Sequence, residues 1–281
     1  MITIRRFLET IRVLLTNPRA LAIFAVLYAV LLVTLYGFIS IREGTVWQVV
    51  VTMFFLVLIP AEFFVLQSAI LQQSRAAGFQ WAQIIRDAIK LAVVTIPIIL
   101  LGFVLVYLLN KWKAHFPAPV AASLPITPGP PKPPPFHLPT VLFATLRFLL
   151  LGFVLPLAAI HLWIEVTARD LRALVSGGAK SVLKRIGNAL ARALAFDSVL
   201  IYALGLIIFA LIPYAILFGP PNKVTGTRTD YAVFIARLLL VYFFTLIGWI
   251  VTVSALASPT TETSSAVPVS TISDTPAEAP A

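Results

Sequence analysis

The chain has 281 residues, of which 60% are apolar and 11% charged, and its mean hydropathy is +0.98. These values lie outside the range of soluble globular domains and predict an integral membrane protein. The formal net charge of +10 is divided among the segments between apolar runs. It therefore does not indicate a nucleic-acid partner. The lack of cysteine in the sequence excludes disulfides, thiolate metal sites and iron–sulfur clusters.

The first element, in residues 1–18, is predicted to be an amphipathic helix lying in the membrane plane. Arg5, Glu9 and Arg12 fall on its polar side, and Asn17-Pro18 ends the pattern because a proline disfavours a helical residue before it. Its apolar side would rest in the acyl boundary, with the arginines among headgroups. The alternative is a helix that continues into the first span. The apolar side holds Ile4, Phe7, Leu8, Ile11, Leu14 and Leu15.

Six long apolar runs follow, each about 19–24 residues and therefore able to cross a hydrocarbon core of roughly 30 Å at 1.5 Å per residue. Membrane-barrel strands would alternate apolar and polar residues, and these runs do not. The sequence therefore predicts an all-α polytopic membrane protein with a six-helix domain over residues 19–257. The runs are Ala20–Ser40, Val46–Ala69, Leu91–Leu109, Phe148–Val166, Ser198–Phe218 and Leu238–Ala257.

Two connectors between spans repeat the amphipathic pattern of the N-terminal helix. The first has an apolar side formed by Trp81, Ile84, Ile85, Ala88 and Ile89, with Gln83, Arg86, Asp87 and Lys90 largely off it. The second has an apolar side formed by Leu183, Ile186, Leu190 and Leu194, opposed by Lys184, Asn188 and Arg192. Both predict further in-plane helices, about three in all. In these three helices, the basic residues expected to face anionic lipid are Arg5, Arg12, Arg86, Lys184 and Arg192.

Two segments have compositions that do not favour a packed core. Residues 111–140 contain ten prolines and are predicted to form a stiff, extended outer loop. Residues 258–281 are rich in Ser, Thr, Pro and Ala, carry three acids and no aromatic residue, and are predicted to be disordered.

The distribution of basic residues predicts the orientation of the chain. Thirteen Lys and Arg residues fall in segments on one side of the predicted spans and six on the other, with Arg147 and Arg237 at the boundary. Because cytoplasmic segments carry the excess of positive charge, both termini are expected to be cytoplasmic in a bacterial inner membrane.

Glu62, in span two directly after Pro60, is the strongest intramembrane candidate for chemistry. A proline frees the carbonyl four residues earlier, which exposes polar backbone beside the carboxyl group. Glu62 could bind a proton or cation in a transport role. It could instead make a structural hydrogen bond to a neighbouring span.

His161 and Glu165 complete the candidate polar site, and they share one helix face because they are four residues apart. A membrane histidine can ligate haem or a pigment metal, but no partner histidine lies at a matching depth in the sequence. A structural or interfacial role for His161 is one alternative, and a proton relay with Glu165 or Glu62 is another. Glu165 is expected to be solvated, because it lies at the inner end of span four beside Thr167, Arg169 and Asp170.

The chain contains no HExxH, GxSxG or Walker A motif. We therefore expect no catalytic residues, no metal site and no cofactor.

The layout resembles a group of uncharacterised bacterial six-span inner-membrane proteins in which basic amphipathic helices link the spans on the cytoplasmic side. The segments that carry this resemblance are Arg75–Pro97, with Gly78, Trp81 and Arg86-Asp87-Ala88, and Gly177–Pro213. They cover about half of the chain. The resemblance is one of layout and implies no activity.

These observations favour a non-enzymatic scaffold or accessory subunit whose basic in-plane helices engage anionic lipid or a partner, which could be another protein or a further copy of this chain. The outer loop could add a docking strip. A transporter using Glu62 and the proline-broken helices is the alternative. A haem- or pigment-binding subunit of an energy-conversion complex, using His161, is a third.

Overall fold

The structure, a computed structural model, describes residues 2–41, 44–75, 78–116, 137–168, 178–219 and 227–258. Over these residues the chain forms eight helices, of which six are long and apolar enough to cross a membrane. The predicted all-α, six-span fold is confirmed. The helices are α1 (Ile2–Thr16), α2 (Pro18–Ser40), α3 (Val46–Ser74), α4 (Trp81–Lys113), α5 (Leu138–Thr167), α6 (Gly178–Ala193), α7 (Phe196–Phe218) and α8 (Thr227–Ala257).

Most of the predicted proline-rich loop, residues 117–136, lies outside the described residues, as do residues 259–281 of the predicted tail. Within the described part, α3 packs against α2, α4, α5 and α8, so α3 and α8 are the two helices with the most neighbours in the bundle. Helix α8 also contacts α1, α2, α5 and α7, and α6 packs along α5.

Helix α1 is a separate element and does not continue into α2. The break lies at Asn17, whose side chain accepts a hydrogen bond from the Ala20 amide at 3.1 Å and so caps α2. Pro18 occupies the first turn of α2, where its missing N–H costs nothing. Helix α1 packs across the ends of α2, α7 and α8. This end of the bundle, where α1 and α6 lie, is called the basic end below.

The in-plane helix predicted between spans two and three is wrong, as helix α4 shows. Residues 81–113 form one continuous helix, so no separate in-plane helix exists there. Trp81, Ile85 and Ile89 of the predicted apolar side are exposed on the surface of the bundle. The buried stripe instead recurs every three or four residues and runs unbroken into the span. It comprises Ile84, Ala88, Leu91, Thr95, Ile98 and Gly102.

The effect of an intramembrane proline is visible in one repeated hexapeptide. Residues 100–105 and 150–155 both have the sequence LLGFVL. The first copy is regular α-helix, whereas most of the second lies in a π-helical segment, Leu149–Val154. Pro156 follows the second copy and leaves the Gly152 carbonyl without its helical donor. The Tyr202 hydroxyl of α7 donates to this carbonyl at 3.1 Å, so the polar group is satisfied inside the bundle.

Helix α7 has a second π-helical segment, Ile207–Leu211, before Pro213. Here α7 approaches α8 closely. A Cβ atom on Gly248 would lie 2.8 Å from the Phe209 backbone nitrogen, and one on Gly205 would overlap the Thr252 side chain. Small residues at membrane helix crossings permit such approach. The two glycines therefore set the spacing of α7 and α8.

We predict that Gly205→Ala destabilises the bundle by on the order of 1–3 kcal/mol, because the added methyl group overpacks the contact with Thr252. Gly187→Ala is the matched control, since a Cβ there meets nothing within 4 Å. This control should stabilise slightly, by up to about 1 kcal/mol, through helix propensity. The measurement is the thermal unfolding midpoint in detergent. Equal midpoints for the two variants would contradict the proposed crossing.

Candidate functional site

Arg75, the residue after α3, joins the basic ends of α3 and α5. Its Nη2 donates to the Ile164 carbonyl at 2.9 Å and to the Thr167 hydroxyl at 2.7 Å. The last carbonyls of a helix have no partner within the helix, so the guanidinium satisfies one of them. Burial lowers the pKa of Arg75, and the nearby Asp87 carboxylate opposes this shift. Arg75 therefore acts as a cationic bridge between two spans.

The connector from α3 to α4 is fixed by a second polar contact. Gln72 Oε1 accepts a hydrogen bond at 3.1 Å from the backbone N–H of Gln80, the residue directly before α4. Gly78 in this connector has φ +67°, a left-handed conformation that favours glycine. Together with Arg75, these residues set the angle at which the chain enters α4.

A buried ion pair lies in the first turns of α4, at two residues that sequence periodicity placed largely off the apolar side. Lys90 Nζ donates to Asp87 Oδ1 at 2.8 Å, and the two side chains are 4% and 9% exposed. Gln83 Nε2 donates to the other carboxylate oxygen at 3.0 Å. The charged groups are thus neutralised and hydrogen-bonded, which burial requires. Arg86, the residue directly before Asp87, is exposed as predicted.

Glu165 is not solvated, contrary to the sequence-based expectation. Its side chain is 11% exposed and lies between two arginines of α6. Its Oε1 is 4.0 Å from Arg185 Nη1, and its Oε2 is 3.9 Å from Arg192 Nη1. Periodicity could not reveal this because the arginines come from a distant segment. Glu165 therefore holds α6 against α5. Arg192, which was predicted to face lipid, directs one guanidinium nitrogen towards Glu165, and its side chain is 60% exposed.

His161 connects α5 with α7. Its Nε2 is 3.0 Å from the Ser198 hydroxyl, so this ring nitrogen is engaged in a hydrogen bond between helices. The geometry supports the structural role weighed for this residue. A haem or pigment metal would have to displace Ser198 from Nε2 or use the other ring nitrogen.

Glu62 also bonds a neighbouring helix. The Thr34 hydroxyl of α2 donates to Glu62 Oε1 at 3.0 Å, which is the structural alternative set out for this residue. Glu62 Oε2 is buried and has no hydrogen-bond partner among the residues that the structure describes. Glu62 lies thirteen residues before Arg75, about 20 Å along α3. It is therefore remote from the network at the basic end.

The three predicted site residues do not form one site. Glu62 pairs with α2, His161 with α7 and Glu165 with α6, so each joins its own pair of helices. In the described ranges, no group of three His, Asp or Glu side chains is placed to hold a metal ion. At the basic end, the polar side chains form hydrogen bonds and ion pairs that join neighbouring helices.

These features define an integral membrane protein of the multi-span, all-α class, with a polar network at one end of the bundle. Comparison of the chain with family models, curated proteins and solved structures finds no match in any of the three.

We predict that breaking the Asp87–Lys90 pair from one side is far more harmful than removing both charges. Asp87→Leu or Lys90→Met should each destabilise by about 3–5 kcal/mol, because an uncompensated charge is left buried. The double variant should recover most of that loss. Arg86→Met, a neighbouring exposed cation, is the control and should have little effect. Unfolding free energies in detergent micelles provide the measurement, and additive losses in the double variant would contradict the interpretation.

Proposed function

We propose that this protein is a non-enzymatic membrane scaffold or accessory subunit of a bacterial inner-membrane assembly, held at the inner leaflet by anionic lipid. The observation that carries the proposal is the exposed surface of α1 and α6. Both helices lie at the same end of the bundle and combine exposed basic residues with exposed apolar ones. This is the surface expected of helices at a membrane interface.

Helix α1 has three kinds of surface. Phe7 and Leu14 are buried against the bundle, whereas Ile4 and Leu8 are about half exposed, at 49% and 58%. Arg12 is exposed on the polar side, as is Arg5, which pairs with Glu9 at 3.0 Å. One flank therefore packs on protein, the second is available to acyl chains and the third to headgroups.

The start of α1 is fixed to α7. The Thr3 hydroxyl donates to Asp197 Oδ1 at 2.6 Å, and Asp197 lies in the first turn of α7, where a negative charge is favourable. Burial lowers the pKa of Arg6, and the nearby Asp197 carboxylate partly offsets this shift. These contacts hold the exposed side of α1 in a fixed direction.

Helix α6 has the same organisation. Ala189 and Ala193 are buried, whereas Leu183 and Lys184 are exposed, as is Leu194 directly after the helix. The Glu165 contacts fix α6 from the side of α5. Under the positive-inside rule this end faces the cytoplasm, where the leaflet is rich in anionic lipid. Rigidly held basic helices on such a leaflet support a scaffold role.

We expect the double variant Arg12→Gln/Lys184→Gln to bind anionic lipid more weakly. Each basic residue near such a surface contributes about 1 kcal/mol, so two should change affinity by about tenfold or more. The measurement is transfer of labelled phosphatidylglycerol to the full-length protein in neutral nanodiscs at low and high salt. Lys111→Gln/Lys113→Gln removes the same charge at the other end of α4 and should have little effect. Equal losses in both variants would indicate a response to net charge only.

A transporter remains the second candidate function, because Glu62 keeps a buried carboxylate oxygen that accepts no hydrogen bond in the described part of the chain. Such a group could take up a proton or cation in the membrane interior.

Glu62→Gln separates the two functions, because the amide keeps the shape of the side chain and an oxygen that can accept from Thr34. If Glu62 is structural, the variant should retain its unfolding midpoint, and wild-type proteoliposomes should show no ion-linked flux. Under a transport role, wild type should carry a proton- or cation-linked flux that Glu62→Gln abolishes. Thr34→Val, which removes the hydroxyl donor while preserving the carboxyl group, is the control. The assay is a pH-dye or ion-flux measurement at matched insertion.

A further inference from the structure

A cavity of about 180 Å³ lies between α2, α3, α7 and α8 in the membrane-crossing part of the bundle, and it is open on one side. Its surface is almost wholly apolar. The Trp249 Nε1 donates to Gln67 Oε1 at 2.9 Å and the Gln67 side chain is wholly buried, so these polar groups are withdrawn from the cavity. An apolar cavity of this size stays dry and takes up apolar molecules. Its apolar lining includes Leu31, Phe63, Leu66, Phe209 and Leu246.

The depth of the cavity selects the part of a lipid that can reach it. Gln67 lies seven residues before the end of α3, and Thr245 lies twelve residues before the end of α8. At 1.5 Å per residue, the lining is about 10–18 Å from the basic end. One leaflet contributes about 15 Å to a hydrocarbon core of roughly 30 Å. The cavity is therefore at the depth of acyl chains and far below the headgroups of the leaflet at the basic end.

The arrangement of the helices gives a lipid chain access to the cavity. Helix α8 packs against α2, α3 and α7, whereas α2 and α7 make no extended contact with each other. Both α2 and α7 line the cavity, so the space between them is the route from the surrounding bilayer. The cavity is thus continuous with the lipid-facing surface of the bundle, and hydrocarbon chains are the molecules that meet it there.

Positive charge lies at the basic end of the same helices. Helix α1 packs across the ends of α2, α7 and α8, which are three of the four helices that line the cavity. Arg12 of α1 is exposed, as is Arg19 in the first turn of α2. Basic residues at this level attract anionic headgroups. A phospholipid with its phosphate at these arginines extends its chains along the helices that surround the cavity.

We propose that the cavity holds one acyl chain of an anionic phospholipid whose headgroup is bound at Arg12 and Arg19. The inference rests on the proposed attraction of α1 to anionic lipid, and it adds a second point of attachment for the same molecule. The chain also fills a void whose lining would otherwise lack contacts. Charge at the headgroup and shape at the chain together select the lipid.

The test is photo-crosslinking of the full-length protein in neutral nanodiscs that contain a small fraction of phosphatidylglycerol with a diazirine near the end of one acyl chain. Mass spectrometry identifies the labelled residues. This lipid should label Leu31, Phe63 and Leu246 about fivefold more than phosphatidylcholine with the same chain, the factor that one basic residue supplies. Equal labelling by the two lipids, or label confined to exposed residues such as Val33, would overturn the proposal.

Two variants and their controls locate the chain and the headgroup. Leu31→Trp should abolish labelling of the cavity, because the larger side chain fills it, whereas Val33→Trp places the same ring at an exposed position of α2 and should behave as wild type. Arg12→Gln, at an exposed position, carries the test if Leu31→Trp does not fold. It should lower labelling about fivefold. Lys184→Gln should not, because α6 packs along α5. Full labelling in Arg12→Gln would contradict the proposal.

Failure of this inference can be distinguished from failure of the proposed function. If α1 and α6 do not bind anionic lipid, transfer of phosphatidylglycerol is unchanged in Arg12→Gln/Lys184→Gln, and both proposals are wrong. If only the cavity assignment is wrong, that transfer weakens as expected while the cavity residues stay unlabelled.

Discussion

A polar group inside a bilayer must find its partner within the protein, and the packing of this bundle depends on that constraint. Where Pro156 releases the Gly152 carbonyl, Tyr202 of another helix supplies the missing donor. The Trp163 indole donates to the Thr95 hydroxyl at 2.8 Å and joins α5 to α4 in the same way. Helices in lipid gain little from apolar burial against each other, so these bonds and close contacts determine which faces meet.

The same constraint explains why the tightly packed region lies towards the basic end. In α3, the buried residues run from Phe64 to Gln72, and the preceding half of the helix has none. The packed half is the one that contains Gln67, Ser68 and Ala69, whereas Val, Leu and Phe dominate the exposed half. Small and polar side chains let helices approach and hydrogen-bond, and bulky apolar ones are equally satisfied by lipid. In α3, composition therefore marks the half that packs.

Much of the fold could be predicted from the sequence, because run length and apolarity depend on local residues. The six spans were predicted, with ends that the structure extends. For Glu62, accepting a hydrogen bond from a neighbouring span was one of two stated roles. The environments of Asp87 and Glu165 could not be predicted this way. Periodicity assigns charged residues to water, whereas these carboxylates are paired by Lys90 and by arginines of α6. The arginine partners of Glu165 lie far away in the sequence and are found only in three dimensions. Asp87 and Lys90 are three residues apart, a spacing that allows a pair on one helix, so for them it is the burial that the sequence does not show.

Helix α3 illustrates how one span can serve separate purposes on separate faces. Glu62 bonds α2 through Thr34, and Gln67, five residues later, bonds α8 through Trp249. Five residues turn a helix by about 500°, or 140° beyond a full turn, so the two side chains point in different directions. Each keeps one buried polar atom without a partner in the described residues, an acceptor at Glu62 and a donor at Gln67. Since the two groups share no partner, changes at one should add independently to changes at the other.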